Sequence, residues 1–277
     1  MPAHILLIDC PDRMGLVHTI TGVLFRRAYN VVSNHEFVDR DRRHFFMRTE
    51  FSGDADPAEA LAELRAALPD ATIRLTGAGE RTAVVLVTKE HHSVGDLLIR
   101  HAYGELGARI LAVAGNHAVL APLAERFGVP FHHVPAEGLE RAAHEEALAQ
   151  VIDSYAPEYV VLAKYMRVLT PAFVERYRGR IINIHHSFLP AFIGANPYRQ
   201  AFERGVKIIG ATAHFVTESL DEGPIIAQSV IPVDHSHTAA EMAQAGRDVE
   251  KIVLARALKL VFEERVFISG NRTIIFD

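Results

Sequence analysis

Asn183 and His185 stand two residues apart in the segment IINIHHSFLPAFIG, residues 181–194. On a strand, where side chains alternate, they share one face. A side-chain amide and an imidazole converging at a strand end suit carbonyl chemistry. The amide N–H stabilises a developing oxyanion, and the imidazole donates or shuttles a proton. His186, Ser187 and Pro190 fall in the turn that follows. A second segment, GATAHFVTESLDEGPIIAQ (210–228), reads as strand, loop and strand, with Asp221 in the loop. Its carboxylate can orient water or tune His185. A third segment, AKYMRVLTPAFV (163–174), follows a buried strand. By residue type alone each group has a plainer role. Asn183 can satisfy backbone groups, His185 can be a hydrogen-bonded core histidine, and Asp221 can be a turn residue beside glycine.

The chain has 16 histidines, so each must be weighed by position. His91-His92 and His132-His133 are adjacent pairs, and neighbours on a strand point to opposite faces, which makes neither pair a natural ligand set. His235-Ser236-His237 is an isolated H-x-H. With no H-E-x-x-H and a single cysteine, no metal site is expected.

The elements that would position these groups form two series. Residues 1–77 read as β-α-β-β-α-β, the ferredoxin-like order. Strands are expected at 3–9, 30–38, 43–52 and 71–76. One helix opens at Gly15, and a second is capped by Asp56-Pro57 and carries Leu61, Leu64 and Leu68. Phe45, Met47 and Phe51 share one face of the third strand, with Arg48 and Glu50 on the other. After the glycine-bearing linker 76–80, apolar strands at 82–88, 109–115, 130–135 and 158–163 alternate with helices near 94–103, 118–127, 138–153 and 170–177. Continuous apolar strands joined by helices predict an α/β fold, a doubly wound, mostly parallel Rossmann-like sheet with ligands at the carboxyl ends of its strands. The boundary falls at 80, giving domains 1–80 and 81–277.

Composition narrows the classes. The 277 residues are 49% hydrophobic and 23% charged, as in an ordinary globular protein. Apolar runs reach only about five residues, against roughly 20 for a membrane span, so no membrane partner is expected. The net charge of −5 lacks the basic bias of a nucleic-acid binder, and none is expected as a partner. One cysteine and no secretory start predict a cytoplasmic location.

Two resemblances sharpen the expectation. The first 77 residues, with the loop DRMGL, resemble the ACT domain, a regulatory module that binds amino acids. That implies an effector site at Asp12, Gly15 and Asn30, commonly shared across a dimer interface, and a homodimer or homotetramer. Downstream, N-I-H-x-S-x-L-P (Asn183 to Pro190), L-D-x-G-P-I (Leu220 to Ile225) and M-R-x-L-x-P (Met166 to Pro171) resemble the folate-dependent formyltransferase family, in order and spacing. The resemblance implies a catalytic trio of Asn183, His185 and Asp221. It implies folate contacts from Met166, Arg167, Val168, Leu169, Phe173, Val216, Thr217 and Glu218, with Arg167 acting more through its backbone than its charge.

The leading ACT-like segment, KEHHSVGDLLIR (89–100), AERFGVPFHHVP (124–135) and the C-terminal GRDVEKIVLARAL resemble the hydrolytic branch of that family. Its implied reaction converts 10-formyltetrahydrofolate and water to tetrahydrofolate and formate, supplying purine biosynthesis and balancing the one-carbon pool. The folate is then substrate, no tightly bound cofactor is implied, and methionine or glycine is the first candidate effector. The alternatives are formyl transfer to an amine, or a non-catalytic folate- or amino-acid-binding regulator. Asn196 departs from the basic residue expected there.

Overall fold

A computed structural model describes residues 3–77, 79–191 and 197–277. Its backbone falls into two compact units.

The first unit contains β1 (Ala3–Pro11), α1 (Leu16–Arg26), β2 (Asn30–Asp39), β3 (His44–Ser52), α2 (Pro57–Ala67) and β4 (Thr72–Gly77). All pairings are antiparallel in the order β2-β3-β1-β4. Asp56 caps α2 by accepting from the Ala58 N–H, as its Asp-Pro sequence predicts. One sheet face carries Phe45, Met47 and Phe51, and it buries Ile20, Leu24 and Leu64 of the two helices. The other face differs from the alternation rule's solvent-facing expectation. Glu264–Phe267 and Ile274–Asp277 belong to this unit, and Phe267 and Phe276 bury Leu7 and Phe46. Arg48 is therefore buried, and its Nε donates to the Glu264 carbonyl at 3.0 Å.

The second unit holds a seven-stranded sheet. Its elements are β5 (Arg81–Val87), α3 (His92–Ala102), β6 (Ala108–Gly115), α4 (Ala121–Arg126), β7 (Phe131–His133), α5 (Arg141–Tyr155) and β8 (Tyr159–Leu162), followed by α6 (Pro171–Arg176) and β9 (Ile181–His185). Then come α7 (Pro197–Arg204), β10 (Ile208–Phe215), β11 (Ile225–Pro232) and α8 (Ala239–Phe262); β12 (Val266–Ser269) and β13 (Arg272–Ile275) follow as a separate two-stranded sheet whose residues divide between the two units. The sheet order is β11-β10-β9-β8-β5-β6-β7, with β9 to β7 parallel and β10 and β11 antiparallel. The order reverses at β5, since β6 lies on one side and β8 on the other. Ligand crevices in doubly wound sheets open at such a switch point. The core is formed by the apolar strands, with Val84, Leu86, Val160 and Leu162 nearly inaccessible. Residue periodicity placed the strands and helices within a few positions of these bounds. Among the described residues no helix is long and apolar enough to cross a membrane.

Candidate active site

Strand β9 presents Asn183 and His185 on one face. The antiparallel partner β10 sets His214 opposite Asn183 and Thr212 opposite His185. Four polar side chains thus reach the same side of the sheet from two strands. The turn after His185 is held from below by fully buried Thr212. Its hydroxyl donates to the Ser187 carbonyl at 2.9 Å and accepts from the Leu189 N–H at 3.0 Å.

Asp221 arrives from the β10–β11 loop. That loop folds back on its own strand, with the Phe215 N–H donating to the Pro224 carbonyl at 2.9 Å. Gly223 makes the fold-back possible, because a Cβ there would stand 1.8 Å from the Phe215 oxygen. Asp221 itself has a φ of 56°, an uncommon conformation for a residue with a side chain and one that clusters at functional sites. Gly223→Ala is expected to displace Asp221 and lower turnover at least tenfold, while far-ultraviolet circular dichroism stays unchanged. Unaltered turnover in a folded variant would refute this role for the loop.

The Asp221 Oδ1 lies 3.3 Å from His185 Nδ1 and 3.8 Å from His214 Nε2. Burial works against the carboxylate's charge, but the hydrogen bond and charge of His185, aided by His214 and His186, hold the acid below its usual range. Asp221 is therefore ionised at neutral pH. His214 Nδ1 donates to the Phe215 carbonyl at 2.9 Å, leaving Nε2 to accept from Asn183 Nδ2 at 3.2 Å. Burial pushes the His214 pKa down, which keeps this neutral tautomer. His214 thereby fixes which end of the Asn183 amide donates, and one amide hydrogen remains for a ligand. Among the described residues His185 Nε2 is buried without a partner, and it belongs to a side chain that lines the adjoining cavity.

That cavity, about 290 Å³, is lined by Asn183, His185, His214 and Asp221 at its polar end. Met166, Val168, Leu169, Val216 and Leu220 make an apolar wall. The segment 163–170 is fastened at both ends. The Ala163 N–H donates to the Leu86 carbonyl and the Met166 N–H to Thr88 Oγ1, both at 2.9 Å. The Thr170 N–H donates to Glu145 Oε1 at 2.9 Å, and Thr170 Oγ1 also bonds Glu145. Residues 166–168 and 216–218 line the same cavity as the apolar slot, an arrangement that suits a flat, edge-polar ring.

Of the residues anticipated from sequence, the structure brings together Asn183, His185, Asp221, Met166, Arg167, Val168, Leu169, Val216, Thr217 and Glu218. Phe173 is not among the lining residues. It is buried in the core against Tyr177, and its neighbour Val174 faces the cavity instead. His214 and Lys164 line the cavity and were not anticipated. The alternation Thr212-x-His214 was the available signal for the first, and a lone lysine after the apolar run 159–163 for the second. Asn196 lies outside the described residues. Among the described residues, no group of three or more His, Cys, Asp or Glu side chains is arranged to hold a metal ion.

In the first unit, Asp12 and Gly15 occupy the β1–α1 loop, while Asn30 opens β2. Asn30 pairs with Ser52, which faces Ala3 at the start of β1. Asp12 follows the far end of that strand. Within one chain these groups are about 25 Å apart along the sheet, so one chain does not assemble them into a site.

Burial also shifts His186, which lines the cavity. The pKa of His186 is pushed down to about 4, first by burial and then by the Lys164 and His185 charges. The unfolded chain takes up this proton below about pH 6.5 while the fold resists it to about 4. Stability is thus intact above that window and falls as pH drops through it. Urea midpoints are expected to decline from pH 6.5 to 4, and His186→Gln to flatten that decline. A decline equally steep in the variant would assign it to other groups.

Comparisons with known proteins agree on one neighbourhood. The Formyl transferase family model matches residues 81–258, and the ACT domain model matches residues 4–69. The chain is 58% identical to the formyltetrahydrofolate deformylase of Escherichia coli O6:H1 over 272 residues, covering 98% of this chain and 97% of the other. A crystal structure of the formyltetrahydrofolate deformylase from Burkholderia mallei matches with a TM-score of 0.95 at 41% identity, over 100% of both chains. Glycinamide ribonucleotide transformylase 1 from Symbiobacterium toebii matches with a TM-score of 0.69 at 34% identity. That match covers 74% of this chain and 98% of the other.

Proposed function

Since this chain belongs to the formyltetrahydrofolate deformylase family, we propose that Asn183, His185 and Asp221 carry its hydrolysis of 10-formyltetrahydrofolate to tetrahydrofolate and formate. The observation that carries the assignment is His185, whose Nδ1 lies 3.3 Å from the ionised Asp221 and whose Nε2, buried with no partner among the described residues, belongs to a side chain that lines the cavity with Asn183. The pterin ring enters the apolar slot, its polar edge meeting the backbone at 166–168 and 216–218. This places the formyl carbon at the polar end.

Water held by Asp221 and His185 adds to the formyl carbon, and Asp221 takes up one of its protons. The developing oxyanion accepts from Asn183 Nδ2 and from His185 Nε2 in its protonated form, whose charge the ionised Asp221 balances until it takes that proton and the oxyanion balances afterwards. The C–N bond then breaks, the folate nitrogen receives a proton, and formate leaves. Of the two water protons, one ends on the folate nitrogen and the other leaves to solvent with formate. The test is purified protein with 10-formyltetrahydrofolate and no amine, following formate and tetrahydrofolate together. The expected result is one formate per tetrahydrofolate. Formate release that requires an amine would overturn the assignment of water as acceptor.

The sequence pattern supports a cytoplasmic enzyme that needs no bound cofactor, feeds formate to purine synthesis and is regulated through its ACT unit. Because Asp12 and Asn30 lie at opposite ends of β1, a ligand touching both bridges two chains, which supports a homodimer or homotetramer. Methionine and glycine are the effectors to test, in the full chain. Removing residues 1–79 would also strip the partners of Phe267 and Phe276.

A further inference from the structure

A second buried polar group lies directly beside the catalytic cavity. Glu250 of α8 is wholly buried and has three partners. His92 Nε2 approaches Glu250 Oε2 at 2.8 Å, Lys164 Nζ approaches the same oxygen at 3.4 Å, and the Tyr198 hydroxyl donates to Oε1 at 2.7 Å. His92 and Lys164 are themselves nearly buried. The Tyr198 ring is seated on Gly246, where any Cβ would stand 2.1 Å from it. Burial opposes the Glu250 charge, but its three partners outweigh it and hold the acid at about 2, so the group stays ionised.

Two features give this group a direction. His92 lines an open, charged groove with Lys89, Asp96, Arg247 and Lys251, whereas Lys164 lines the catalytic cavity with His185 and Asp221. Glu250 joins them, so the cluster is the wall between groove and cavity. Lys164 also has a φ of 61°, a conformation glycine adopts freely and a residue with a side chain adopts only under strain. A lysine held there with its ammonium inside the protein points to a use for the side chain.

We infer that Lys164 is a specificity-determining residue that seals the catalytic cavity against amine acceptors, leaving water as the nucleophile. This rests on the hydrolytic reading given above. An amine entering from the groove would meet the Lys164 stem and the Glu250 carboxylate. A protonated amine has no lone pair with which to attack, and it finds no free counter-charge there because His92 and Lys164 already occupy the Glu250 carboxylate. Water is neutral and small enough to pass. With the wall opened, an amine attacks the formyl carbon, the C–N bond to folate breaks, the amine loses one proton and the folate nitrogen gains one. The products are tetrahydrofolate and the formylated amine.

The test compares the full-length wild type with Lys164→Gly, which relieves the backbone and leaves Glu250 bonded to His92 and Tyr198. Each is given 10-formyltetrahydrofolate with excess hydroxylamine, a small amine largely neutral at pH 7. The ratio of formohydroxamate to formate is read above an enzyme-free blank. Both products come from the same folded fraction, so the ratio is independent of how much protein folds. Wild type is expected to give formate almost alone, and Lys164→Gly to raise the ratio at least tenfold. Formate with an unchanged ratio from Lys164→Gly would overturn the proposal. If that variant makes neither product, Lys164→Ala is read in the same way, with a rise of several-fold supporting the proposal and an unchanged ratio overturning it. Failure of the wild type to release formate without amine would instead overturn the hydrolytic reading.

Discussion

Asp221→Asn is expected to bind folate as the wild type does and to lose roughly 10²- to 10⁴-fold in kcat, the range of general acid–base contributions. The substitution keeps the shape of the side chain and removes only its charge. Three losses follow together: the proton acceptor for water, the counter-charge for protonated His185, and the acceptor at 3.3 Å that orients the ring. None of them touches the apolar slot, so the loss belongs in kcat and leaves folate affinity alone. Equilibrium binding of tetrahydrofolate and single-turnover formate release separate the two quantities. A variant with near-normal single-turnover rates would remove Asp221 from the chemistry.

Asn183→Ala is expected to cost about 10²- to 10³-fold in kcat, the usual loss on deleting one oxyanion donor. The amide has no route to the substrate other than the hydrogen not committed to His214 Nε2. Its deletion also leaves that buried nitrogen without its donor, so a stability measurement should accompany the kinetics. The double variant with Asp221→Asn should fall well short of the product of the two single effects, because both groups serve one tetrahedral intermediate. Full multiplicativity would mean that they act in separate steps.

The trio was legible because each member sits in a short, local pattern. Two-residue spacing on a strand aligned Asn183 with His185, and L-D-x-G-P-I carried the tight loop that holds Asp221. The ferredoxin-like order and the parallel sheet were legible for a similar reason, since residue periodicity reports which faces are buried. What escaped depends on registers no local window contains. His214 acquires its role only when β10 pairs antiparallel to β9, opposite Asn183. Lys164, His92 and Tyr198 converge only through Glu250, 52 to 158 positions away in the chain. Phe173 shows the converse. Its type suits a ring-binding wall, but its position on α6 sends it into the core.

Phe267 and Phe276 complete the face of the first unit that Leu7 and Phe46 begin. A ribosome adds roughly 5–20 residues each second. Strands β1 and β3 therefore wait about 10–45 s for the aromatic rings that cover them. Through that interval the nascent first unit can close its helix-covered side but holds the other open to water. Birth order thus leaves an apolar sheet face for a chaperone to guard until Phe267 and Phe276 emerge.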